Sequence, residues 1–238
     1  MSERHPYLDF DLLKSITLIT GKMVNETPLR VGVGRDSAVS AAMDAVVIRM
    51  RRGDVEVPYI PGSSLKGVFR SYVESLVRAM GREVLSPWEM LGERSDKKAL
   101  KPCVVSGIFG SPAVASHVIV YDAFPVGEPK MLIKTGVGID RDFGGVRPGI
   151  LFTEEFVLPD TVWDFRMKIL NIDFPPEGTT DDERVHLLDS LFKTFKSVGF
   201  QVGARKSVGA GLVRLMEAHW ERYVPRDGTL VKVTEGPL

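Results

Sequence analysis

Ile60-Pro61-Gly62-Ser63-Ser64-Leu65-Lys66-Gly67 is the stretch that decides how this chain folds, because it ends a strand, turns and opens a helix. Beyond it, apolar residues recur every three or four positions, which predicts an amphipathic helix over 62–80 with one buried face. Ser63 or Ser64 is the predicted N-cap, since a serine hydroxyl can accept a hydrogen bond from an unpaired amide of the first turn. The predicted buried face comprises Val68, Phe69, Tyr72, Val73, Leu76, Val77 and Met80.

The first turn of this helix carries positive charge. Unpaired amides and the helix dipole favour an anion at a helix N-terminus, and Lys66 with Arg70 adds two cations to the same rim. Gly67 leaves room for a backbone to approach. These features predict a phosphate contact formed by Ser63, Ser64, Lys66 and Arg70. An ordinary serine-capped helix with solvated cations is the alternative.

A second glycine-rich, basic segment, the Gly-rich loop, spans 199–211. From Leu191 to Met216 the sequence holds five Lys or Arg residues and no Asp or Glu. Glycines let backbone amides come close to a phosphodiester, and adjacent cations supply charge that neutral amides lack. A nucleotide-binding P-loop is excluded, because Arg205 stands where that motif requires glycine. The predicted phosphodiester contacts are Gly203, Arg205, Lys206 and Ser207. The alternative is a flexible helix-to-strand connection.

Together these segments resemble the RAMP superfamily of CRISPR-associated proteins, in which such a Pro-Gly-Ser-Ser turn follows an early strand and a Gly-rich basic loop lies near the C-terminus. Two more segments match in family order: Ser106-Gly107-Ile108-Phe109-Gly110-Ser111-Pro112, and Thr135-Gly136-Val137-Gly138-Ile139-Asp140-Arg141. The order and spacing hold from about Leu13 to Leu215. The chain is similar above all to the repeated backbone subunit of type III effector complexes, which coats guide RNA and in many cases cuts the paired target.

The predicted elements are compatible with the fold that this resemblance implies. We predict an α+β fold with a ferredoxin-like or RNA-recognition-motif-like core that carries inserted hairpins and loops. It forms a single domain over 1–238, with a central insertion at about 82–117 and a hairpin at about 134–150. A second helix runs from Asp181 or Asp182 to about Lys196, and its predicted core stripe comprises Val185, Leu188, Leu191, Phe192 and Phe195. Strands are predicted at 15–24, 45–50, 55–60, 118–122, 131–136, 149–158, 162–170 and 212–218. In the strand at 162–170, a polar face alternates with Trp163, Phe165, Met167 and Ile169, which predicts that these four side chains are buried.

The resemblance also implies how the hairpin acts. In the family, the region corresponding to 134–148 wedges into the guide–target duplex and splays bases at regular intervals. The sequence lacks the interleaved aromatic signature of ordinary RNA-recognition motifs, so we expect binding through phosphates, independent of base sequence. A solvent-exposed hairpin is the alternative. The implied contacts in this hairpin are Lys134, Arg141, Phe143 and Arg147.

Catalysis depends on the resemblance alone. The sequence offers no Ser-His-Asp or Cys-His arrangement and no two-carboxylate metal spacing. In type III backbone subunits, target cleavage depends on an Asp in the loop after the first strand, and Asp44 matches it, with Asp36 as its rival. Such a carboxylate can bind Mg²⁺ or Mn²⁺, or orient the attacking 2′-hydroxyl. The structural alternative is an Asp that caps turn amides.

Composition excludes several other classes of protein. Lys plus Arg equals Asp plus Glu at 31 each, so net charge gives no evidence for nucleic acid. Acidic clusters at 140–142, 154–155 and 177–183 permit an acidic surface opposite a basic RNA face, and a random distribution of surface charge is the alternative. A single cysteine excludes an intrachain disulfide, and the four histidines lack zinc-ligand spacing, so no structural zinc is expected. Without a signal core or a membrane-length apolar stretch, the chain is expected in the cytoplasm with no membrane partner.

The predicted function is a type III-like backbone subunit that holds guide RNA and cleaves guide-paired RNA in a metal-dependent reaction. The implied partners are guide CRISPR RNA, complementary target RNA, other effector-complex subunits and copies of the chain itself. One alternative is a purely structural RNA-coating subunit. Another is a guide-precursor processing nuclease, for which His117 is the histidine beside a family motif. A generic RNA-binding domain outside CRISPR is a more distant possibility.

Overall fold

The computed structural model describes residues 7–32, 45–85, 102–112 and 114–238. The helices are α1 (Gly62–Ala79), α2 (Val104–Phe109) and α3 (Glu183–Ser197), and a short 3-10 helix covers Lys206–Val208. The strands are β1 (Ile16–Asn25), β2 (Arg49–Arg52), β3 (Val55–Pro58), β4 (Val118–Val120), β5 (Met131–Ile139), β6 (Val146–Val157), β7 (Thr161–Leu170), β8 (Phe200–Gln201), β9 (Leu212–Arg226) and β10 (Thr229–Pro237).

The central sheet is antiparallel, with the strand order β10-β9-β1-β7-β4 and β8 paired to β9. The six elements β1, α1, β4, β7, α3 and β9 follow one another as β-α-β-β-α-β, which is the ferredoxin-like order. The hairpins β2–β3 and β5–β6 are inserted into this core, before α1 and before β7. The predicted α+β fold class is therefore confirmed.

One face of the sheet is covered by α1 and α3. Phe69 of α1, Phe165 of β7 and Phe195 of α3 contact one another edge to face, with ring centroids 5.3–6.3 Å apart. Burial of aromatic rings in this geometry stabilises the core beyond the area that they remove from water. The alternation predicted for β7 is confirmed, because Trp163, Phe165, Met167 and Ile169 are all buried.

The start of α1 differs from the prediction. The helix begins at Gly62 after Pro61, and no side chain caps it, so the two serines lie inside its first turn. The Gly62 amide instead donates to Asp122 Oδ1 at 2.7 Å. A side chain at Gly62 would place its Cβ 2.2 Å from the Val120 carbonyl oxygen, so close packing against β4 requires glycine. Met80, predicted on the buried face, is 56% exposed.

The start of α3 agrees with the prediction. Asp182 is the N-cap, and its Oδ1 accepts a hydrogen bond from the Arg184 amide at 2.9 Å. An aspartate here accepts a hydrogen bond from one otherwise unpaired amide, and its negative charge interacts favourably with the positive end of the helix dipole. The buried stripe of α3 includes the five predicted residues Val185, Leu188, Leu191, Phe192 and Phe195.

The C-terminal strands extend further than the sequence predicts. Instead of ending near Ala218, β9 continues to Arg226 and turns into β10, an edge strand absent from the prediction. Its side chains are mostly exposed, so β10 lacks the one-sided apolar alternation that identifies a half-buried strand. No helix among the described residues is both long and apolar enough to cross a membrane.

Candidate nucleic-acid interface

The Gly-rich loop is an ordered hairpin loop. β8 pairs with β9, and the Val202 amide donates to the Gly211 carbonyl at 2.8 Å, so hydrogen bonds close the base of this helix-to-strand connection. Gly203 has φ +84°, and a Cβ there would lie 2.2 Å from the Arg30 carbonyl oxygen. The Ala204 amide donates to that same oxygen at 2.8 Å. Glycine at 203 therefore lets the loop pack directly on the backbone that follows β1.

A carboxylate fixes the position of Arg205. Its Nε lies 3.0 and 2.9 Å from the two carboxylate oxygens of Glu154, at the base of β6. Arg30 donates to the same carboxylate through Nη1. Glu154 thus joins the Gly-rich loop, the segment after β1 and the β5–β6 hairpin, and we call this set of three residues the Glu154 clamp. The Arg205 side chain remains 42% exposed, so it is both positioned and accessible.

Glu155 forms the matching contact on the other face of the hairpin, since neighbouring residues of a strand point to opposite faces. Its Oε2 accepts hydrogen bonds from Arg49 Nη1 at 2.9 Å and from the Val47 amide at 3.1 Å. Burial opposes ionisation of Glu155, but these hydrogen bonds and the Arg49 charge outweigh it and hold the pKa of the carboxyl below its usual value. Glu155 therefore ties the segment at 45–49 to the hairpin.

Glu154 and Glu155 do not form part of an exposed acidic surface, as their sequence cluster had suggested. Glu154 and Glu155 are 8% and 5% exposed, and both are paired with arginines, Glu154 at the Gly-rich loop and Glu155 on the opposite face of the hairpin. Asp44 and Asp36 lie outside the described residues. The described residues that flank them, Gly32 and Ala45, lie next to this cluster: Gly32 bridges Val47, and the Ala45 carbonyl accepts from the Glu155 amide at 2.9 Å.

The β5–β6 hairpin carries the other predicted cations. Lys134 pairs in register with Glu154, and its Nζ lies 5.3 Å from the centre of the Phe156 ring, so it is close to Arg205. Arg141 in the turn and Arg147 near the start of β6 are exposed at the far end of the hairpin. Many apolar side chains of the hairpin are also exposed, at positions 133, 137, 139, 143, 146, 150 and 151.

The predicted contacts at α1 have partners within the protein. Lys66 Nζ donates to Ser116 Oγ at 2.8 Å, and Arg70 donates to the Gly110 carbonyl and to Glu74, both at 2.8 Å. Burial, and secondarily the Arg70 charge, lowers the pKa of Lys66. Among the described residues, no hydrogen bond or ion pair joins Ser63, Ser64, Lys66 or Arg70 to the Gly-rich loop. RNA contact by these four residues stays a prediction, as does contact by Lys206 and Ser207, which are exposed in the 3-10 helix.

His117 is placed away from any accessible surface. Its side chain is 0% exposed, and Nε2 lies 2.8 Å from Asp9 Oδ1. Burial lowers its pKa, with the Asp9 hydrogen bond opposing that shift. A general acid or base must reach the proton that it transfers, so this placement disfavours the guide-processing alternative.

A further cluster joins β9 and β10. Ligand atoms of His219, Glu221 and Glu235 lie within 4.8 Å of one another, a proximity that sequence spacing did not indicate. Lys232 Nζ already lies 2.7 Å from Glu235 and 3.4 Å from Glu221. The hydrogen bond from Lys232 lowers the pKa of Glu235. The ammonium group thus balances part of the negative charge of these two carboxylates.

The sequence model of the RAMP superfamily matches residues 22–214. This chain belongs to the RAMP superfamily. Two RAMP relatives are similar in sequence. One is the CRISPR system Cmr subunit Cmr6 of Pyrococcus furiosus, 27% identical across 89% of this chain and 72% of that protein. The other is the CRISPR system Cms endoribonuclease Csm3 of Methanothermobacter thermautotrophicus, 30% identical across 47% of this chain and 46% of that protein.

A solved structure supports the same fold. A chain in the cryo-EM structure of the Type III-B Cmr-beta complex bound to cognate target RNA aligns with a TM-score of 0.54 and 19% identity. The alignment covers 92% of this chain and 61% of that one, so this RAMP chain spans less than two thirds of its structural neighbour. The resemblance identified from the motifs is therefore confirmed at the level of family and fold.

Proposed function

We propose that this chain is an RNA-binding backbone subunit of a type III CRISPR effector complex in the cytoplasm. The observation that carries the proposal is the accessible Arg205, which the Glu154 clamp holds between the Gly-rich loop and a projecting hairpin. The names of the two relatives support it, since both are called components of CRISPR systems. Its proposed partners are guide CRISPR RNA, complementary target RNA, other effector subunits and copies of the chain itself.

The chemistry of this surface suits RNA of any sequence. Arg205 and Lys206 supply exposed cations, and phosphate contacts of this kind position a nucleic acid without reading its bases. The hairpin beside them presents apolar side chains to solvent, including Ile139, Phe143 and Leu151, which are 62%, 67% and 66% exposed. Apolar side chains of this type insert between stacked bases in other nucleic-acid complexes. The two features together match a subunit that coats a guide and separates its bases.

We further propose that the subunit cleaves guide-paired RNA with Asp44, or with its rival Asp36, and Mg²⁺ or Mn²⁺. Glu154 and Glu155 are engaged by arginines, so neither described carboxylate of this cluster is free to bind an ion alone. The ion would then depend on Asp44 or Asp36. When bound, it would supply charge stabilisation at the scissile phosphate.

A non-catalytic, RNA-coating subunit is the second candidate. One observation favours it: the relative that aligns with 89% of this chain is named a subunit, whereas the relative named an endoribonuclease aligns with 47%. The two candidates share the RNA-binding surface and differ only in cleavage.

Replacing Arg205 and Lys206 together with alanine should weaken binding of different guide sequences about equally. Loss of two phosphate contacts should reduce the slope of log affinity against log salt by roughly 1 to 2, at about 0.7 per phosphate for single-stranded RNA. Titrations at several salt concentrations measure both effects. The matched control removes two exposed cations elsewhere, Lys193 and Arg226, and should leave the slope unchanged. A folded double variant with wild-type slope and affinity would remove this loop from the RNA site.

A further inference from the structure

A cavity of about 240 Å³ lies where the base of the β5–β6 hairpin meets the Gly-rich loop. It is distinct from the exposed apolar tip of the hairpin and from the first turn of α1. Its lining combines two phenyl rings, two cations and two glycines: Phe152, Phe156, Lys134, Arg205, Gly136 and Gly209. The rings, the cations and the glycines together suit a flat, partly apolar group that carries negative charge next to it.

The two rings are held next to cations. The Arg205 guanidinium carbon lies 5.0 Å from the centre of the Phe152 ring, and Lys134 Nζ lies 5.3 Å from that of Phe156. The Arg205 guanidinium is oriented by the Glu154 carboxylate and is still partly exposed. A guanidinium that rests on one ring can stack a second planar group, and nucleobases are such groups.

Glycine makes room on both sides of the cavity. At Gly136, a Cβ would lie 2.3 Å from the Phe152 ring, so the ring rests directly on the β5 backbone and is fixed there. At Gly209, with φ +84°, no atom lies within 4 Å of where a Cβ would be. A ligand can therefore approach the loop backbone at this point.

The charge around the cavity favours a nucleotide. Arg30, Lys134 and Arg205 carry three positive charges against the single carboxylate of Glu154. Arg30 Nε is buried and has no hydrogen-bond partner among the described residues. An aliphatic side chain of a protein partner would bury Lys134 and Arg205 with Glu154 as the one carboxylate of the cavity lining, whereas a nucleotide adds phosphate charge next to them.

We infer that this cavity binds one unpaired nucleobase of the RNA whose phosphates the Gly-rich loop holds. The base stacks on the Arg205 guanidinium with Phe152 beneath it, and the adjacent phosphates face Arg205, Lys206 and Lys134. The inference rests on the proposed function, because it names a base-binding part of the same RNA site. It adds an affinity for bases that is independent of their sequence, since every base has a flat aromatic face.

The test compares a short oligouridylate with an abasic ribose–phosphate strand of the same length, each bound to the 238-residue chain. Wild-type protein should bind the strand with bases roughly 5- to 150-fold more tightly, the effect of one stacked base at about 1–3 kcal/mol. Phe152→Leu should bind the abasic strand like wild type, which also shows that it is folded, and should lose most of the preference for bases. Phe152→Tyr keeps the ring and should retain the preference.

Three results would overturn the inference. Wild-type protein that binds both strands equally has no base site, and this comparison needs no variant. If Phe152→Leu keeps the full preference for bases, the base binds elsewhere. The proposed function survives that result if the double variant Arg205→Ala/Lys206→Ala still lowers the salt slope. Wild-type protein that binds neither strand contradicts the inference and the proposed RNA site together.

Discussion

Asp44→Ala should suppress metal-dependent cleavage of guide-paired RNA by about 10²- to 10⁴-fold, the range for removing one positioned catalytic group. Folding, guide binding and target pairing should stay close to wild type, because the carboxylate would act mainly in the transition state. Single-turnover cleavage by the assembled complex, with Mg²⁺ or Mn²⁺ and a chelator control, measures the loss. The variant would then bind guide and target like wild type but lose cleavage.

Asp36→Ala is the matched control, since it removes the other acid between positions 33 and 44. Strong loss in Asp36→Ala with full activity in Asp44→Ala would show that the loop alignment is shifted. Wild-type cleavage rates in both variants would exclude the loop from catalysis. If the assembled wild-type complex never cuts its target, the RNA-coating subunit is the correct function.

Glu154→Ala should lower the free energy of unfolding by about 3 kcal/mol, because it leaves two arginines without their carboxylate. The Arg30 side chain is only 15% exposed, so its charge gains little from water once Glu154 is gone. For a chain of this size that loss corresponds to a melting temperature lower by roughly 6–12 °C. Calorimetry or thermal circular dichroism measures the shift.

Glu128→Ala is the control for this change, since Glu128 is exposed and should cost less than about 0.5 kcal/mol. Glu154→Gln keeps the shape and one acceptor oxygen, so its melting temperature should fall between those of Glu154→Ala and wild type. A melting temperature for Glu154→Ala within the error of wild type would show that the clamp does not stabilise the loop.

Local patterns in the sequence predicted most of the core. The stripes of α1 and α3 and the alternation of β7 repeat over short distances, and burial of one face follows directly from that repeat. Asp182 as the cap of α3 is likewise a local signal, two residues from the amide that it binds. Elements defined by such patterns were therefore placed correctly, with small differences at their ends.

Contacts between distant parts of the chain were not predictable in the same way. The amide that begins α1 is bound by Asp122, 60 residues away, rather than by the neighbouring serines. Glu154 is paired with Arg30 and Arg205, at separations of 124 and 51 residues. In the sequence, Glu154-Glu155 is indistinguishable from an exposed acidic pair. Only the register of β5 with β6 turns one carboxylate to the Gly-rich loop and the other to Arg49.

The cavity at the Gly-rich loop also depends on contacts between residues that are distant in the sequence. Phe152 and Phe156 are two of many apolar residues in their strand, and nothing local marks them as neighbours of cations. Lys134 was predicted from the family hairpin and Arg205 from the Gly-rich loop, as separate contacts. The structure brings both to one cavity, because Lys134 and Arg205 each approach a ring on β6.

Sequencing the RNA that co-purifies with the chain and its native partners tests the central claim most directly. A guide-coating subunit should retain RNA with uniform, repeat-derived ends and variable interior sequence, because it binds phosphates and not particular bases. That RNA should be depleted when Arg205 and Lys206 are both alanine. Heterogeneous cellular RNA, or no RNA at all, from a folded wild-type preparation would contradict the account.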